Sequence, residues 1–286
     1  MCSPEIMALV RQRAGTSRRD LLRAGAATGL AAAVAGPLLA RPARAQQATP
    51  VASALPGGFT RVVDLSHTWG PDFPMYPGAQ QPDIKVIVTI TNGGFYKNQL
   101  TLDEHTGTHM DSPAHFAEDG TTADQLPPEQ LIAPLVVIDV SERAASDPDT
   151  QGTVDDLTAW EAANGPIPAG AFVALHSGWE ARLSDPATYI NLDASDVQHY
   201  PGWHPDAAAF LVNERDVVGA GVDTLSLDFG ASTDFGTHLT LLPAGKFGIE
   251  NLANLANVPP VGATAIFGGP KHEGASGGPT RVLALI

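Results

Sequence analysis

Short runs of apolar and β-branched residues recur along the chain after residue 58, and they outnumber the stretches with helical periodicity. Alternating or continuously apolar runs of this kind are typical of strands. The predicted strands lie at 61–67, 84–91, 96–102, 134–140, 171–177, 217–227, 263–267 and 282–286. The turn-forming triplet Asn-Gly-Gly at 92–94 predicts a tight hairpin turn between the second and third of them.

Two segments, 155–163 and 205–215, have the acidic or proline-containing first turn and the periodicity of amphipathic helices. Between the periodic segments lie long Gly-, Pro- and Asp-rich loops, of which 268–280 contains two glycine runs. Neither run opens a helix after a strand, so nucleotide binding is not indicated. Because no repeat or second composition block is visible, residues 59–286 are predicted to form one mixed α/β domain.

The first 45 residues follow a different pattern, in which paired arginines precede an apolar stretch. Arg18 and Arg19 stand directly before residues 21–40, which are mostly Ala, Gly, Leu and Val. The triplet Ala-Arg-Ala at 43–45 is typical of a signal-peptidase site. These features predict a twin-arginine export signal that is cleaved after residue 45. An uncleaved membrane anchor is the weaker interpretation, because the stretch is short and interrupted by an arginine.

Cleavage leaves a linker at 46–58 and a strongly acidic mature chain, expected in the periplasm or outside the cell. Residues 46–286 hold nine Lys+Arg and 29 Asp+Glu, and 9 minus 29 gives a net charge of -20, against -15 for the whole chain. Such a field repels nucleic acids and anionic lipids, so neither a nucleic-acid partner nor membrane association is expected. The single cysteine, Cys2, lies in the signal, which excludes disulfides, thiolate ligands and a cysteine nucleophile from the mature chain.

Three histidines and an aspartate are concentrated in residues 105–115, which read HTGTHMDSPAH. His105, His109 and Asp111 share one parity, and alternate residues of an extended segment project to the same face. Gly107 lies between them and leaves room for a ligand to approach. Imidazole and carboxylate are the donors of catalytic Zn, Mn or Fe sites, so this segment predicts a metal centre.

Pro113 ends the extended geometry and turns the chain, which predicts that His115 returns beside the same face. The alternative is that the three histidines are unrelated core or surface residues. Uncompensated burial of so many polar groups within eleven residues would be costly, which disfavours that alternative.

A second pair of candidate ligands, His238 and Glu250, follows in the last quarter of the chain. Glu250 lies within 247–252, an otherwise apolar stretch, and a buried carboxylate needs a cation, a partner or a proton. Metal ligation would satisfy it. The pattern alone leaves a second interpretation open, in which Glu250 starts a helix at 250–256.

The segment His-Ser-Gly-Trp at 176–179 only partly matches a nucleophile turn. Ser177 and Trp179 are therefore expected near the pocket as wall or structural residues, with no catalytic triad. Asp223 and Asp228 are expected to fix loops or to hydrogen-bond to ligand side chains.

The pattern His-x-Gly-Thr-His-x-Asp-x-Pro-x-His, followed by Phe116, resembles the signature of the putative cyclase family. That family includes bacterial kynurenine formamidases, isatin hydrolases and related metal-dependent amide, lactam and lactone hydrolases. The resemblance extends over the mature chain, through segments at 64–66, 74–78 and 221–228.

The resemblance implies an α/β fold, a single compact domain with a barrel-like mixed β-sheet and flanking helices of the swivelling β/β/α type. It also implies one or two divalent ions, Zn or Mn, and a homo-oligomer (dimer or tetramer) in which neighbouring chains help to close the pocket. By the same resemblance, His105, His109 and Asp111 bind the first metal, while Asp111 and Glu250 bridge to a second metal held by His238.

His115 is the catalytic acid/base implied by the resemblance. Tyr76 takes the place where formamidases commonly carry a substrate-stacking tryptophan, so it is the expected substrate-binding residue and departs from the formamidase pattern. The expected function is hydrolysis of a C–N bond in a cyclic or aryl amide by metal-activated water. The alternatives are an arylformamidase acting on N-formyl-kynurenine, a lactone hydrolase, and a metal- or small-ligand-binding protein without catalysis.

Overall fold

The computed structural model describes residues 58–286. The predicted export signal at 1–45 and nearly all of the linker lie outside the described residues. None of the helices within 58–286 has the length and apolarity needed to cross a membrane. Among these residues, Ile84–Leu100 belongs to one compact unit, and the remainder belongs to a second unit that carries every predicted site residue.

Thirteen strands are formed within the described part of the chain. In chain order they are β1 Val62–Asp64, β2 Asp83–Val88, β3 Lys97–Thr101, β4 His109–Asp111, β5 Ile132–Asp139, β6 Gln151–Gly152, β7 Phe172–His176, β8 Gly202–Trp203, β9 Gly219–Val222, β10 Phe247–Glu250, β11 Ala263–Gly268, β12 Gly277–Pro279 and β13 Arg281–Leu285. The α-helices are α1 Ile90–Gly93, α2 Ser141–Ala144, α3 Val154–Asn164, α4 Pro186–Ile190, α5 Pro205–Glu214 and α6 Gly236–Leu241. Short 3₁₀ turns lie between them, including Pro113–His115.

Nine strands form one mixed sheet in the order β1-β13-β11-β5-β7-β9-β10-β4-β12. The central strands β5, β7, β9 and β10 run parallel, and the strands on both sides pair antiparallel. The sheet curls into half a barrel with few helices around it, which confirms the expected fold class.

The middle of the sheet is buried on both faces, as parallel strands require. Along β5, Leu135 and Val137 join one apolar cluster, whereas Val136 and Ile138 join another. The second cluster includes residues of α3 and α5, which cover that face. This double burial explains why β5 and β7 are continuous apolar runs in the sequence.

Two predicted elements differ from the structure. The 92–94 turn is the end of a short helix, α1, which Thr89 caps and which Gly94 ends in the left-handed conformation at φ 76°. The strand predicted at 217–227 is shorter, since β9 ends at Val222. Beyond it, Asp223 turns towards the backbone N–H groups of Ser177 and Gly178, which takes the chain out of the sheet.

Strands β4, β10 and β12 bring distant parts of the chain together, and of these three only β4 lies in a segment predicted to be extended. In the antiparallel pairing of β10 with β4, Glu250 lies opposite His109 and Gly248 lies opposite Asp111. On the other edge of β4, Gly277 of β12 lies opposite Asp111. The register therefore sets the predicted ligands beside one another.

Candidate metal centre and active site

Strand β4 carries two of the predicted ligands on one face. His109 and Asp111 are both buried, and His109 Nε2 lies 3.3 Å from Asp111 Oδ1. The extended segment is shorter than the predicted one, because Gly107 has a φ of 69° and turns the chain before β4. A Cβ on Gly107 would also lie 2.5 Å from the Trp69 ring. Glycine at this position therefore serves the turn and its packing as well as access to the site.

His105 and His115 meet above this strand. The 3₁₀ turn Pro113–His115 returns the chain, as predicted, and the His115 ring stacks on the His105 ring with centroids 3.9 Å apart. His105 Nδ1 lies 2.6 Å from Asp111 Oδ1. Asp111 is thus in contact with both histidines that precede it in the motif.

His238 and Glu250 complete the cluster from the other side. Glu250 ends strand β10 and does not start a helix, which removes the second interpretation of that stretch. His238 Nε2 lies 3.2 Å from Glu250 Oε1 and 3.4 Å from Asp111 Oδ2. Glu250 Oε2 lies 3.2 Å from His109 Nε2. All five predicted metal ligands and His115 therefore lie in one place.

Asp228 orients His238, as expected from the sequence. Its Oδ2 lies 2.5 Å from His238 Nδ1, and its Oδ1 accepts a hydrogen bond from the Thr237 backbone. A carboxylate on one imidazole nitrogen fixes the tautomer and directs the other nitrogen towards a metal. The opposite nitrogen of His238 faces Glu250 and Asp111.

The electrostatics of the cluster indicate that it accommodates positive charge. Burial by itself would raise the pKa of Asp111, but its close contacts with the imidazoles of His105, His109 and His238 hold that pKa well below its usual range. Burial opposes protonation of His109, yet its contacts with Asp111 and Glu250 raise its pKa to about 10. The buried carboxylates thus stabilise positive charge at the place where a cation would lie.

The donor atoms fit a divalent ion. His109 Nε2 and Asp111 Oδ2 are buried without a hydrogen-bond partner among the described residues, an arrangement that is costly unless something else binds them. The donor atoms form two groups, and within each group they lie within 4.8 Å of one another. The groups are His109, Asp111 and Glu250, and His105, Asp111 and His115. Nitrogen and oxygen donors without thiolates suit Zn or Mn. The second group also places His115 at ligand distance, a role that the sequence did not predict.

A cavity of about 290 Å³ lies against this cluster. Its ionisable lining residues are His105, His109, His115, His238 and Glu250. Its apolar and aromatic lining residues are Pro74, Met75, Tyr76, Phe116, Leu225 and Phe235. Tyr76 lies in the lining as expected and is 40% exposed. The cavity therefore combines candidate metal ligands with a wall suited to a small aromatic molecule.

Sequence reasoning missed Phe116 and Phe235 as wall residues, and Asn251 as a partner of the site. The centroids of the Phe116 and His238 rings lie 4.7 Å apart. Phe235, directly before α6, has a left-handed backbone with a φ of 52°. Nothing in the local sequence signals that conformation for a phenylalanine. Ser177 and Trp179, expected near the pocket, do not line it. Asp223 instead accepts hydrogen bonds from the Ser177 backbone and hydroxyl.

Comparison with known proteins finds relatives that match most of this chain. The family model described as "Putative cyclase" matches residues 63–229. An isatin hydrolase of Roseibium aggregatum is 36% identical over 247 residues, covering 80% of this chain and 93% of that protein. A kynurenine formamidase of Salinibacter ruber is 27% identical over 225 residues, covering 78% of this chain and 96% of that protein. The solved structure of isatin hydrolase A from Ralstonia solanacearum has a TM-score of 0.75 and 39% identity, covering 79% of this chain and 92% of that chain.

These relatives are hydrolases, and together with the buried His/Asp/Glu cluster beside a cavity they place the chain in the hydrolase class of enzymes. The chain belongs to the putative cyclase family. It is a hydrolase of that family, related to isatin hydrolase and kynurenine formamidase.

Proposed function

We propose that the protein is a metal-dependent hydrolase that opens the C–N bond of a small cyclic aromatic amide, with isatin-type lactams as the first substrate class. The observation that carries this proposal is the juxtaposition of the buried donor cluster and the aromatic cavity wall at one site. Similarity to isatin hydrolases over most of the chain supports the choice of a lactam.

His109, Asp111, His238 and Glu250 would hold the metal, with His105 adjoining them through Asp111. A divalent ion bound there supplies Lewis acidity, which lowers the pKa of water and polarises a carbonyl. One or two ions, Zn or Mn, are compatible with donor groups that share Asp111. The aromatic wall around Phe116, whose ring packs on His238, would hold a planar substrate beside these ligands.

His115 would move the proton. Burial lowers the pKa of His115 below its usual range, although the charge of Asp111 partly opposes this effect, so the imidazole is neutral at neutral pH. A neutral imidazole can accept a proton from the attacking water while the new C–O bond forms. It then donates that proton to the amide nitrogen as the C–N bond breaks, which yields an amine and a carboxylate.

An aryl formamide such as N-formyl-kynurenine is the second candidate substrate, supported by the likeness to a kynurenine formamidase. Tyr76 would contact the aromatic ring in either case, since it lines the cavity and burial keeps its phenol protonated by raising its pKa. Lactones share the same carbonyl chemistry. A binding protein without catalysis is less well supported, because such a protein has no need of a neutral His115 beside the donors.

The test is turnover of a carbonyl panel by the mature protein, residues 46–286, after chelation and after Zn or Mn is restored. The panel holds isatin, N-formyl-kynurenine, simple aryl formamides and aromatic lactones. Chelator-sensitive opening of isatin would support the proposal, whereas preference for N-formyl-kynurenine would select the second candidate. Bound metal without cleavage of any member would contradict an amide hydrolase of this substrate range.

The proposal extends to the setting of the enzyme. We infer that the mature chain acts in the periplasm or outside the cell, on a small molecule, as a homo-oligomer. The twin-arginine pattern supports export, and the family resemblance supports oligomerisation. Light scattering on residues 46–286 should give a mass of two or four chains, and a monomer at micromolar concentration would contradict this part.

A further inference from the structure

The backbone carbonyl of Gly107 accepts two hydrogen bonds, one from each side of the site. His109 Nδ1 lies 2.9 Å from it, and Asn251 Nδ2 lies 3.0 Å from it. Because a carbonyl only accepts, His109 must carry its proton on Nδ1. Its other nitrogen, Nε2, then faces Asp111 and Glu250 and would serve as the lone-pair donor when a metal takes the place of its proton.

The amide of Asn251 is itself held in one orientation. Its Oδ1 accepts a hydrogen bond of 2.9 Å from the hydroxyl of Tyr189, a fully buried residue. That bond leaves the Nδ2 end of the amide for the Gly107 carbonyl. The Thr108 hydroxyl also donates to the Asn251 backbone carbonyl, so the two segments are tied at two points.

Glycine makes this arrangement necessary. Gly107 has a φ of 69° and lacks a Cβ, so the peptide plane that follows it has more rotational freedom than any other residue would allow. If that plane turns, the acceptor for His109 Nδ1 moves away, and the imidazole loses both its tautomer and its direction. A second donor on the same carbonyl restrains the plane.

We propose that Asn251, held by Tyr189, is a positioning residue that fixes the Gly107 peptide and thereby the tautomer and direction of His109 as a metal ligand. This inference rests on the proposed metal site. It assigns a role in metal binding to a buried residue that supplies no donor atom to the cluster.

Asn251→Gly is the decisive variant, and Asn254→Gly is its matched control. Asn251 and Asn254 both have left-handed backbones, at φ 55° and 57°, where glycine fits without strain. Asn254 is exposed and bonds only to residues outside the donor cluster. Tyr189→Phe, which removes one hydroxyl, is the conservative second variant in case the glycine variant folds poorly.

The measurement is Co²⁺ titration of the chelator-stripped full chain, followed by the visible absorption spectrum of the bound ion. We expect Asn251→Gly to weaken Co²⁺ binding about 10- to 100-fold, as loss of an outer-shell partner typically does, and to change the ligand-field bands. Tyr189→Phe should change both in the same direction by less, and Asn254→Gly should match the unmodified protein.

Unchanged affinity and spectrum in both Asn251→Gly and Tyr189→Phe would overturn the positioning role, even if the melting temperature of the metal-free protein fell. A lower melting temperature with unchanged Co²⁺ binding would show that the hydrogen bonds serve only stability. If the unmodified chain itself failed to bind Co²⁺, the metal site would be overturned and this inference with it, a result distinct from a loss confined to the variants.

Discussion

Asp111 is the residue on which the donor cluster depends, because it contacts His105, His109 and His238 at once. It is almost completely buried, so the solvent cannot replace any of these partners. Removing a buried charge that has several partners leaves the others uncompensated. Replacing Asp111 would therefore disturb several ligands at once. A substitution tests one role at a time only at a residue that contacts part of the cluster.

His115→Ala is expected to lower kcat by about 100- to 10,000-fold, the contribution typical of a positioned acid/base. Metal content should be retained, because His109, Asp111, His238 and Glu250 remain. Steady-state turnover and elemental analysis of the same sample measure the two effects. His204→Asn, at a half-buried histidine outside the cavity, is the control. Loss of metal together with activity would show that His115 is a ligand, which its distance from His105 and Asp111 also permits.

Asp228→Asn is expected to weaken metal binding about 10- to 100-fold while the fold is retained. The amide has one acceptor oxygen where the carboxylate has two, so it cannot accept from both the Thr237 backbone and His238 Nδ1, and the ring can turn away from Glu250. Metal-titration calorimetry measures the change. Asp234→Asn, in the exposed loop before α6, should bind metal like the unmodified protein. Equal affinities for all three proteins would mean that His238 needs no orienting carboxylate.

At the scale of elements, α3 begins with a reciprocal cap in which Thr153 and Asp156 bond each other's backbone N–H groups. Asp156 also pairs with Arg143 at 2.8 Å. Burial opposes ionisation of Asp156, but the hydrogen bonds from Arg143 and Thr153 lower its pKa below the usual value. A depressed folded-state pKa adds stability above the unfolded-state pKa, and that stability is lost as the pH falls through the folded-state value.

Asp156→Asn should therefore destabilise the fold at pH 7 by about 1 kcal/mol, allowing for solvent screening of the Arg143 pair. The difference from the unmodified protein should narrow below about pH 4, as the pH falls from the unfolded-state pKa of Asp156 through its lower folded-state pKa. Urea midpoints across pH measure it. Asp155→Asn, one position earlier and exposed, should show a much smaller pH-dependent difference. A constant difference from pH 7 to pH 3 would contradict the electrostatic origin.

The elements visible in the sequence are those whose pattern is local. Strands β5 and β7 and helices α3 and α5 follow from continuous apolar runs or helical periodicity, and the predicted bounds agree within two residues. Strands β10 and β12 have four and three residues and pair with distant partners, so no local pattern indicates them, whereas β4 follows from the alternation within the histidine motif. The site shows the same limit, since the 105–115 motif is readable in the sequence whereas Asn251 acts through hydrogen bonds across 144 positions.

At the scale of the whole molecule, the proposed export depends on the paired arginines of the predicted signal at 1–45, which lies outside the described residues. Replacing Arg18 and Arg19 by lysine should retain the precursor inside the cell, because the paired arginines are the part of the signal that the export machinery reads. Fractionation followed by mass measurement of the N-terminus tests this, with Arg11→Lys and Arg13→Lys together as the control. Unchanged export of the Arg18/Arg19 variant would contradict a twin-arginine route.

The position of β4 between β10 and β12 has a consequence for biosynthesis. The histidine motif leaves the ribosome well before Glu250 and the strand at Gly277–Pro279, which follow it far along the chain. Until then β4 has neither neighbour, and its imidazoles and carboxylate have no enclosure. A nascent chain thus presents at first only part of its metal ligands, and the complete set forms only after Glu250 and β12 have emerged. Metal acquisition is thereby tied to completion of the fold, which is the state in which the proposed export route would carry the protein.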